Sequence, residues 1–274
     1  MKILAVIEDT FKECLYKKIL LGFFGISTLS ILAIFLLFAV DIKGYQVAIG
    51  TVFGESGTVS MSQLREVIIK IEGVFSMALF TAGLFLSIFA TADLVPSSLR
   101  KGKIDLYLSR PISRPQFLLG KFLGAVSVVA VNILYAVAGV WLVFGIKTGI
   151  WNPYFLYSAV SIIFMFAVLY SVMLLVGVLV QGTAITMIVA YVMIMLSPIL
   201  DKRETFTVFL SNEIQKNLIE LFYQIIPRYA EMTNVTMSLV EGKPVENWTP
   251  VLASLLIALV AMSLAVHIFS RKDF

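Results

Sequence analysis

The chain has 274 residues, of which 59% are hydrophobic and only 14% are charged. A soluble domain carries about a quarter charged residues, so this composition excludes a soluble globular protein and indicates an integral membrane protein. The net charge of +4 lies mostly in lysines and arginines beside apolar segments, which favours lipid contact over nucleic-acid binding. No linker rich in proline, serine or charge divides the sequence, so we predict one membrane domain over residues 1–274.

The segment 1–18 is amphipathic and is predicted to form an interfacial helix. Four of the six positions from Glu8 to Glu13 are charged, and charges are costly in hydrocarbon, so the segment is expected to lie in the membrane interface. The alternative is that it simply begins the first span. Its apolar side chains recur every four residues and share one face: Ile3, Ile7, Phe11 and Leu15.

Long uncharged apolar runs predict six membrane spans, because a spanning helix needs about 20 apolar residues. The run 148–200 holds 53 residues without a charge. That length is about 80 Å of helix, so the run must cross the bilayer twice. Its polar break, Gln181-Gly182-Thr183, is the predicted turn. The predicted spans are 19–40, 73–92, 122–146, 154–180, 183–200 and 249–269.

The third predicted span carries two features that favour helix packing. Asn132 and Tyr135 can hydrogen-bond to a neighbouring helix, and the Gly120-x-x-x-Gly124 spacing allows two helices to approach closely. Neither feature is specific to one function, and we interpret both as structural.

Two longer loops, 41–72 and 201–248, are predicted on the side of the membrane opposite the chain ends. The first begins with glycine-rich turns typical of a short hairpin and ends in a helix that starts near Ser60. The second contains a helical stretch, 212–226, which Pro227 ends. We expect its apolar face to roof the outer mouth of the molecule, the alternative being a helix that lies flat on the outer leaflet. That face comprises Ile214, Leu218, Leu221, Phe222 and Ile225.

The distribution of basic residues predicts the orientation of the chain. Six spans place both chain ends on one side, and that side holds 12 of the 21 lysines and arginines in the shorter total of loop sequence. The positive-inside rule therefore predicts cytoplasmic termini. Trp151, Tyr154 and Trp248 lie at span ends on the other side, as an aromatic belt requires.

The loop 93–121, between the second and third spans, is strongly basic. Its charged residues are Arg100, Lys101, Lys103, Arg110, Arg114 and Lys121 against Asp93 and Asp105. The pattern indicates a short amphipathic helix that docks a soluble partner. The alternative is a basic collar that enforces topology and contacts lipid head groups. Proline and glycine breaks at Pro96, Gly102 and Pro111, with apolar residues between them, favour the docking element.

Motifs for catalysis, metal binding and nucleotide binding are absent from the sequence. It contains no G-x-x-x-x-G-K-[ST], H-E-x-x-H, C-x-x-C or G-x-S-x-G pattern. No predicted span has a charged residue at mid-depth, which disfavours an ion-coupled carrier and a channel with a charged ring. We therefore predict no catalytic residue, no metal site and no cofactor in this chain, and any transport would need an external energy source.

Between Asp93 and Lys121 the sequence resembles the permease subunits of type-2 ATP-binding-cassette exporters. An acidic residue ends the second span, and a Lys/Arg-Gly-x-hydrophobic helix follows. A Ser-Arg-Pro-Ile-Ser-Arg turn (109–114) and a Leu-Gly-Lys start to the third span (119–121) complete the pattern. The interfacial helix, the six spans and the long fifth loop extend the likeness over nearly the whole chain. Many relatives carry two acids and Gly-Thr where this chain has Asp93 alone and Gly102-Lys103.

The resemblance implies an all-α integral membrane protein. It would have six transmembrane helices, an N-terminal interfacial helix, a cytoplasmic coupling helix and short outer helices before the last span. Two permease subunits, identical or paralogous, would line a substrate path in a prokaryotic cell membrane. Separate ABC ATPase subunits, which bind ATP and magnesium, would drive transport, and nucleic acid is not an expected partner.

The resemblance also implies roles for individual residues. The coupling helix would lie around 96–108, with apolar contacts from Leu99, Ile104, Leu106 and Leu108 and with steering charges from Arg100, Lys101 and Lys103. The full predicted coupling set is Asp93, Pro96, Leu99, Arg100, Lys101, Gly102, Lys103, Ile104, Asp105, Leu106, Leu108, Ser109, Arg110, Pro111 and Arg114. The predicted outer gate is Ile214, Leu218, Leu221, Phe222, Ile225 and Pro227.

Two other classes of function stay open at this point. One is a membrane scaffold or anchor subunit of another complex, without transport activity. The other is a membrane-embedded enzyme, which would need a catalytic cluster that the sequence does not display. Co-purification of an ABC ATPase would favour the permease over both.

Overall fold

The computed structural model describes residues 2–37, 41–43, 46–48, 61–99, 112–203, 205 and 213–272. Within these ranges, six helices are long and apolar enough to cross a membrane, which confirms the predicted fold class. The helices are α1 (Lys2–Tyr16), α2 (Ile19–Leu37), α3 (Met61–Thr91), α4 (Leu94–Ser98), α5 (Arg114–Thr148), α6 (Tyr157–Val180), α7 (Thr183–Asp201), α8 (Glu213–Ile225), α9 (Tyr229–Val240) and α10 (Thr249–Arg271).

A short antiparallel hairpin interrupts the helical pattern in the loop between α2 and α3. Strand β1 (Asp41–Lys43) pairs with β2 (Gln46–Ala48), so that Asp41 lies opposite Ala48. This hairpin agrees with the glycine-rich turns that the sequence places there.

The turn between the fourth and fifth spans lies where the polar break predicts it. Helix α6 ends at Val180, and Gln181 adopts the left-handed conformation with φ 56°. The N–H of Gln181 donates to the carbonyl oxygen of Gly177 at 3.0 Å, which satisfies one of the helix's last carbonyls. A 19-residue helix, α7, then starts at Thr183 and returns across the bilayer.

Two helices continue beyond their predicted apolar spans. Helix α3 begins at Met61 rather than at Gly73, and α5 begins at Arg114 rather than at Phe122. Charged residues in the sequence indicate where the hydrocarbon layer ends, but the helix itself can continue beyond that point into the membrane interface. The extension of α3 carries an exposed Lys70–Glu66 ion pair of 2.8 Å, one helical turn apart.

Helix α6 is the centre of the bundle. Buried residues make up 67% of its 18-residue apolar segment, compared with 17% for the corresponding segments of α2 and α10. Its sequence is apolar on all sides, which is typical of a helix surrounded by other helices. It packs against α3, α5, α7, α9 and α10, whereas α2 and α10 present most of their surface outward.

Helix α1 packs on α5 through two glycines. A Cβ atom at Gly120 would lie 2.6 Å from Val6 Cβ, and one at Gly124 would lie 2.7 Å from Thr10 Cβ. Both distances are too short for any side chain, so these glycines allow the close approach that their spacing predicts. Val6, Thr10 and Cys14 form the buried face of α1.

The face of α1 that the sequence marks as apolar is therefore not the face that packs on α5. Its members are half-buried at Ile3, Ile7 and Phe11 and exposed at Leu15. The predicted helix is present, but an apolar face can meet either protein or lipid. The face of α1 that packs on α5 is the one whose side chains, Val6 and Thr10, fit against Gly120 and Gly124.

We expect the double substitution Gly120→Ala and Gly124→Ala to destabilise the protein by roughly 1–3 kcal/mol, the usual cost of overpacking. The measurement is the unfolding temperature of the purified protein in detergent. Gly25→Ala on α2 is the matched control, because a Cβ atom there meets nothing within 4 Å. Adding Val6→Ala should recover part of the loss. Equal unfolding temperatures for the double variant and the control would contradict the packing described above.

Candidate functional site

The site lies at the end of the bundle that carries Lys17, Asp93, Arg114 and Lys272, which we call the terminal face. Asp93, predicted as a site residue, follows α3 and joins three parts of the chain. One of its carboxylate oxygens accepts a hydrogen bond from Lys17 Nζ, and the other accepts one from Thr183 Oγ1, each at 2.9 Å. Asp93 therefore links the junction of α1 and α2 to the start of α7.

A second charge pair connects this carboxylate to the interior. Lys121 of α5 is only 1% exposed, and its Nζ lies 2.8 Å from Glu13 Oε2 and 3.7 Å from Asp9 Oδ2. The other oxygen of Glu13 lies 2.9 Å from Lys17 Nζ. The order Lys121–Glu13–Lys17–Asp93 is thus continuous across four segments, and we call these four residues the ion chain.

The pairing in the ion chain shifts the pKa values of two of its members, Glu13 and Lys17. Burial alone would raise the pKa of Glu13, but Lys121 and Lys17 hold that pKa below its ordinary value. Burial alone would lower the pKa of Lys17, but Asp93 and Glu13 raise it above its ordinary value. Both shifts favour the charged forms, so Glu13 and Lys17 are charged at neutral pH.

The first end of the basic loop is buried in the bundle. All five residues of α4 are buried, and Leu99 after it is 2% exposed. Pro96 lies beside Gly177, where a Cβ atom would approach its Cδ to 3.7 Å. Lys17 Nζ also donates to Ser97 Oγ at 3.2 Å. Leu99 belongs to the buried core of this chain, and its predicted role as an apolar contact for a partner stays a prediction.

The second end of the loop is fixed at the start of α5. Ser113 Oγ accepts from the N–H of Gln116, whose side chain accepts from the N–H of Ser113, a reciprocal capping box. Arg114 Nη1 donates to the carbonyl oxygens of Phe269 and Ser270, each at 3.2 Å. A cation at a helix C-terminus meets the negative end of the helix dipole, so Arg114 ties the loop to the end of α10.

The last helix is in turn tied to the centre of the bundle. Lys272 Nζ donates to the carbonyl oxygen of Val178 near the end of α6 at 2.8 Å. The ring of Phe269 stacks against Phe117 of α5 with centroids 6.0 Å apart. Both ends of the basic loop are therefore held by the helices that bear the two chain ends.

The predicted coupling residues between these anchors lie outside the described residues. They are Arg100, Lys101, Gly102, Lys103, Ile104, Asp105, Leu106, Leu108, Ser109, Arg110 and Pro111. In the ranges that the structure describes, no group of three or more His, Cys, Asp or Glu could hold a metal ion.

The opposite face of the bundle is closed by α9, which the sequence analysis did not single out. Helix α9 packs across α3, α6 and α7. Beneath it, Asn152 Nδ2 donates to Glu72 Oε2 at 2.7 Å and to the carbonyl oxygen of Val240 at 3.0 Å. Glu72 is fully buried inside α3, although the sequence assigns it to the end of a loop. Threonines interrupt the apolar spacing of α9, so its sequence does not show a continuous apolar face.

The predicted outer gate lies on α8 next to α9. Tyr223 faces inward: its hydroxyl donates to Glu231 at 2.6 Å, and the Arg203 guanidinium lies 3.5 Å from its ring centroid. The predicted apolar face points the other way, and each of its side chains is exposed to about half or more. Its exposed fractions are 67% for Ile214, 47% for Leu218, 51% for Leu221, 52% for Phe222 and 53% for Ile225. Pro227 follows the helix end as predicted.

We expect Glu13→Gln to destabilise the protein by about 3 kcal/mol, because it leaves the buried Lys121 with a weaker partner. Glu8→Gln is the matched control, since its pair with Lys12 lies on the exposed surface of the same helix and contributes little. The measurement is the unfolding temperature of both variants at neutral pH. Equal losses in the two variants would contradict a structural role for the ion chain.

Acid should remove the same contribution. The folded pKa of Glu13 lies below its unfolded value, so the stabilisation is present above the ordinary glutamate pKa of about 4.3 and is lost as the pH falls through the folded pKa. The difference in unfolding temperature between the wild type and Glu13→Gln should therefore shrink below about pH 4.

Comparison with known protein families gives a match that covers nearly the whole chain. A family model described as ABC-2 family transporter protein matches residues 4–274, nearly the whole chain. The matched residues include most of α1, the basic loop with both of its anchors, and α10. No curated protein matches the sequence.

Proposed function

We propose an export function for this chain, which belongs to the ABC-2 transporter family. The match confirms the expected kinship with type-2 permeases and makes the chain a membrane component of an ABC transporter. In the proposed arrangement, two permease subunits, identical or paralogous, form the substrate path between them. Separate ABC ATPase subunits hold ATP and magnesium and drive the cycle from the cytoplasm of a prokaryotic cell.

The observation that carries this proposal is the family match over residues 4–274. The terminal face supports it, because the basic loop is anchored at Asp93 and Arg114 to four of the long helices or their ends. A partner that pushed on the loop would move α1, α5, α7 and α10 together. Rigid-body switching of packed helices is a common way to convert such a push into a global change.

We expect the double substitution Leu106→Asp and Leu108→Asp to uncouple the ATPase without unfolding the spans. Both leucines lie in the apolar stripe of the loop sequence, and burying a carboxylate at a partner contact is costly. The measurements are co-purification of an ABC ATPase of about 30 kDa and its ATP hydrolysis in lipid nanodiscs.

The control for this experiment is Leu106→Met with Leu108→Met, which keeps the apolar character of the loop. Normal co-purification and normal ATP hydrolysis in the aspartate variant would exclude the docking role. An ATPase that never co-purifies with the wild type would favour the alternative of a membrane scaffold or anchor subunit.

We expect a cysteine at Lys103 to face the cytoplasm and a cysteine at Lys216 to face outward, from the charge bias of the short loops. The test is labelling with an impermeant maleimide in intact bacterial cells, in a Cys14→Ser background. The native thiol is a weak competitor in any case, because burial raises the pKa of Cys14 to about 11. Labelling of Lys103→Cys from outside would overturn the proposed orientation.

The apolar face of α8 is proposed to border the outer mouth of the path. Leu221→Glu should then lower ATP turnover by the reconstituted complex while leaving ATPase co-purification unchanged, because the charge opposes burial of this face. Gln224→Glu is the matched control, since it adds the same charge at an exposed polar position of α8. Equal turnover in the two variants would argue against a role for this face in transport.

A further inference from the structure

A cavity of about 420 Å³ opens between α2 and α3. Its walls come from four helices: α2 and α3 form the sides, and α5 together with Ile162 of α6 forms the floor. Ile26 and Ser30 of α2 and Ala82 of α3 are exposed at its rim, so the cavity opens sideways from the bundle. Its volume is in the range of sites that bind small organic molecules.

The cavity is the result of how α2 packs. Helix α2 rests on α5 rather than on α3. A Cβ atom at Gly139 would lie 2.3 Å from Ile31 Cδ1, and Phe24 packs edge-on against Tyr135 with centroids 5.1 Å apart. These contacts fix α2 along α5 and leave a gap on its α3 side.

One polar group in the floor, the side-chain N–H of Asn132, has no acceptor among the described residues. Asn132 is fully buried, and its Oδ1 accepts a hydrogen bond from Ser27 Oγ at 2.9 Å. Its Nδ2 donates to no atom of the residues that the structure describes. A buried amide N–H without an acceptor is costly, and most such groups in folded proteins are satisfied. Asn132 therefore offers a hydrogen-bond donor to whatever occupies the cavity.

The rest of the lining restricts the chemistry of an occupant. Among the lining residues that the structure describes, the polar ones besides Asn132 are Ser27 and Ser30, and none is charged. Ser30 Oγ already donates to the carbonyl oxygen of Ile26 at 2.9 Å. A charged molecule would lose its hydration here without gaining a counter-charge, so a neutral one is favoured.

We propose that this cavity is a lateral binding site for a neutral lipophilic molecule whose carbonyl oxygen accepts a hydrogen bond from Asn132. The occupant enters from the bilayer between α2 and α3, and its apolar part contacts Phe23, Leu79 and Leu86. This inference rests on the cavity and on Asn132, and it is independent of the proposed export function.

The probe for this site is palmitamide carrying a photoactivatable diazirine, and the matched probe is the diazirine-bearing alkane without the amide. Both are applied to the full chain in lipid nanodiscs, and labelled peptides are mapped by mass spectrometry. We expect saturable labelling by the amide probe within segments 23–30, 79–86 and 132–137. Asn132→Leu should weaken amide binding about tenfold, as loss of one buried hydrogen bond implies, and should leave alkane labelling unchanged.

A second pair of variants keeps the test valid if Asn132→Leu fails to fold. Ala82→Leu places a larger side chain at the cavity rim, whereas Ala78→Leu makes the same change one turn away, at an exposed position outside the lining. Loss of saturable labelling in the first variant alone supports the site. Three outcomes would overturn the proposal, because each would mean that lipid tails merely fill the gap. They are non-saturable labelling, equal labelling of both alanine variants, and competition against the amide probe by the alkane as strong as that by the unlabelled amide.

Discussion

The buried ion pair between Lys121 and Glu13 constrains the rest of the terminal face. An ammonium group that is 1% exposed needs a counter-charge, and in this bundle the counter-charge comes from α1. Helix α1 must therefore lie on α5, which Gly120 and Gly124 permit. Once α1 is seated, Lys17 at its end reaches Asp93, and the entry to the basic loop is fixed. The packing of α1 on α5 and the position of Asp93 at the loop entry thus both follow from the need to pair the buried ammonium of Lys121.

The spans were predictable from the sequence because each is a local property of the chain. An apolar run of sufficient length must cross the bilayer, and the polar break at Gln181 could only be a turn. The packed face of α1 was not predictable in the same way. In a membrane, lipid is as apolar as a protein core, so the spacing of Ile3 and Leu15 says nothing about which neighbour covers them.

The sequence marks Asp93 as an acidic residue at the end of a span, but it does not reveal the partners of Asp93. Lys17 is 76 residues away and Thr183 is 90 residues away, and no local pattern encodes such contacts. One signal was present, however: Lys121 begins an apolar run in which a lone charge must find a partner. The packing of α9 across the bundle was not predicted, because its threonines make the helix look polar in sequence. In the structure these hydroxyls donate to carbonyl oxygens of their own helix, as Thr236 does to Met232, and can therefore be buried.

The buried thiol of Cys14 allows the detachment of α1 from α5 to be measured. A thiol with a pKa of about 11 is almost entirely protonated at neutral pH, and it is inaccessible while α1 lies on α5. Its modification by a soluble reagent therefore reports the fraction of molecules in which α1 has lifted away, in the same sense as hydrogen exchange reports local opening. The rate at which Cys14 is modified thus measures how often α1 detaches from α5.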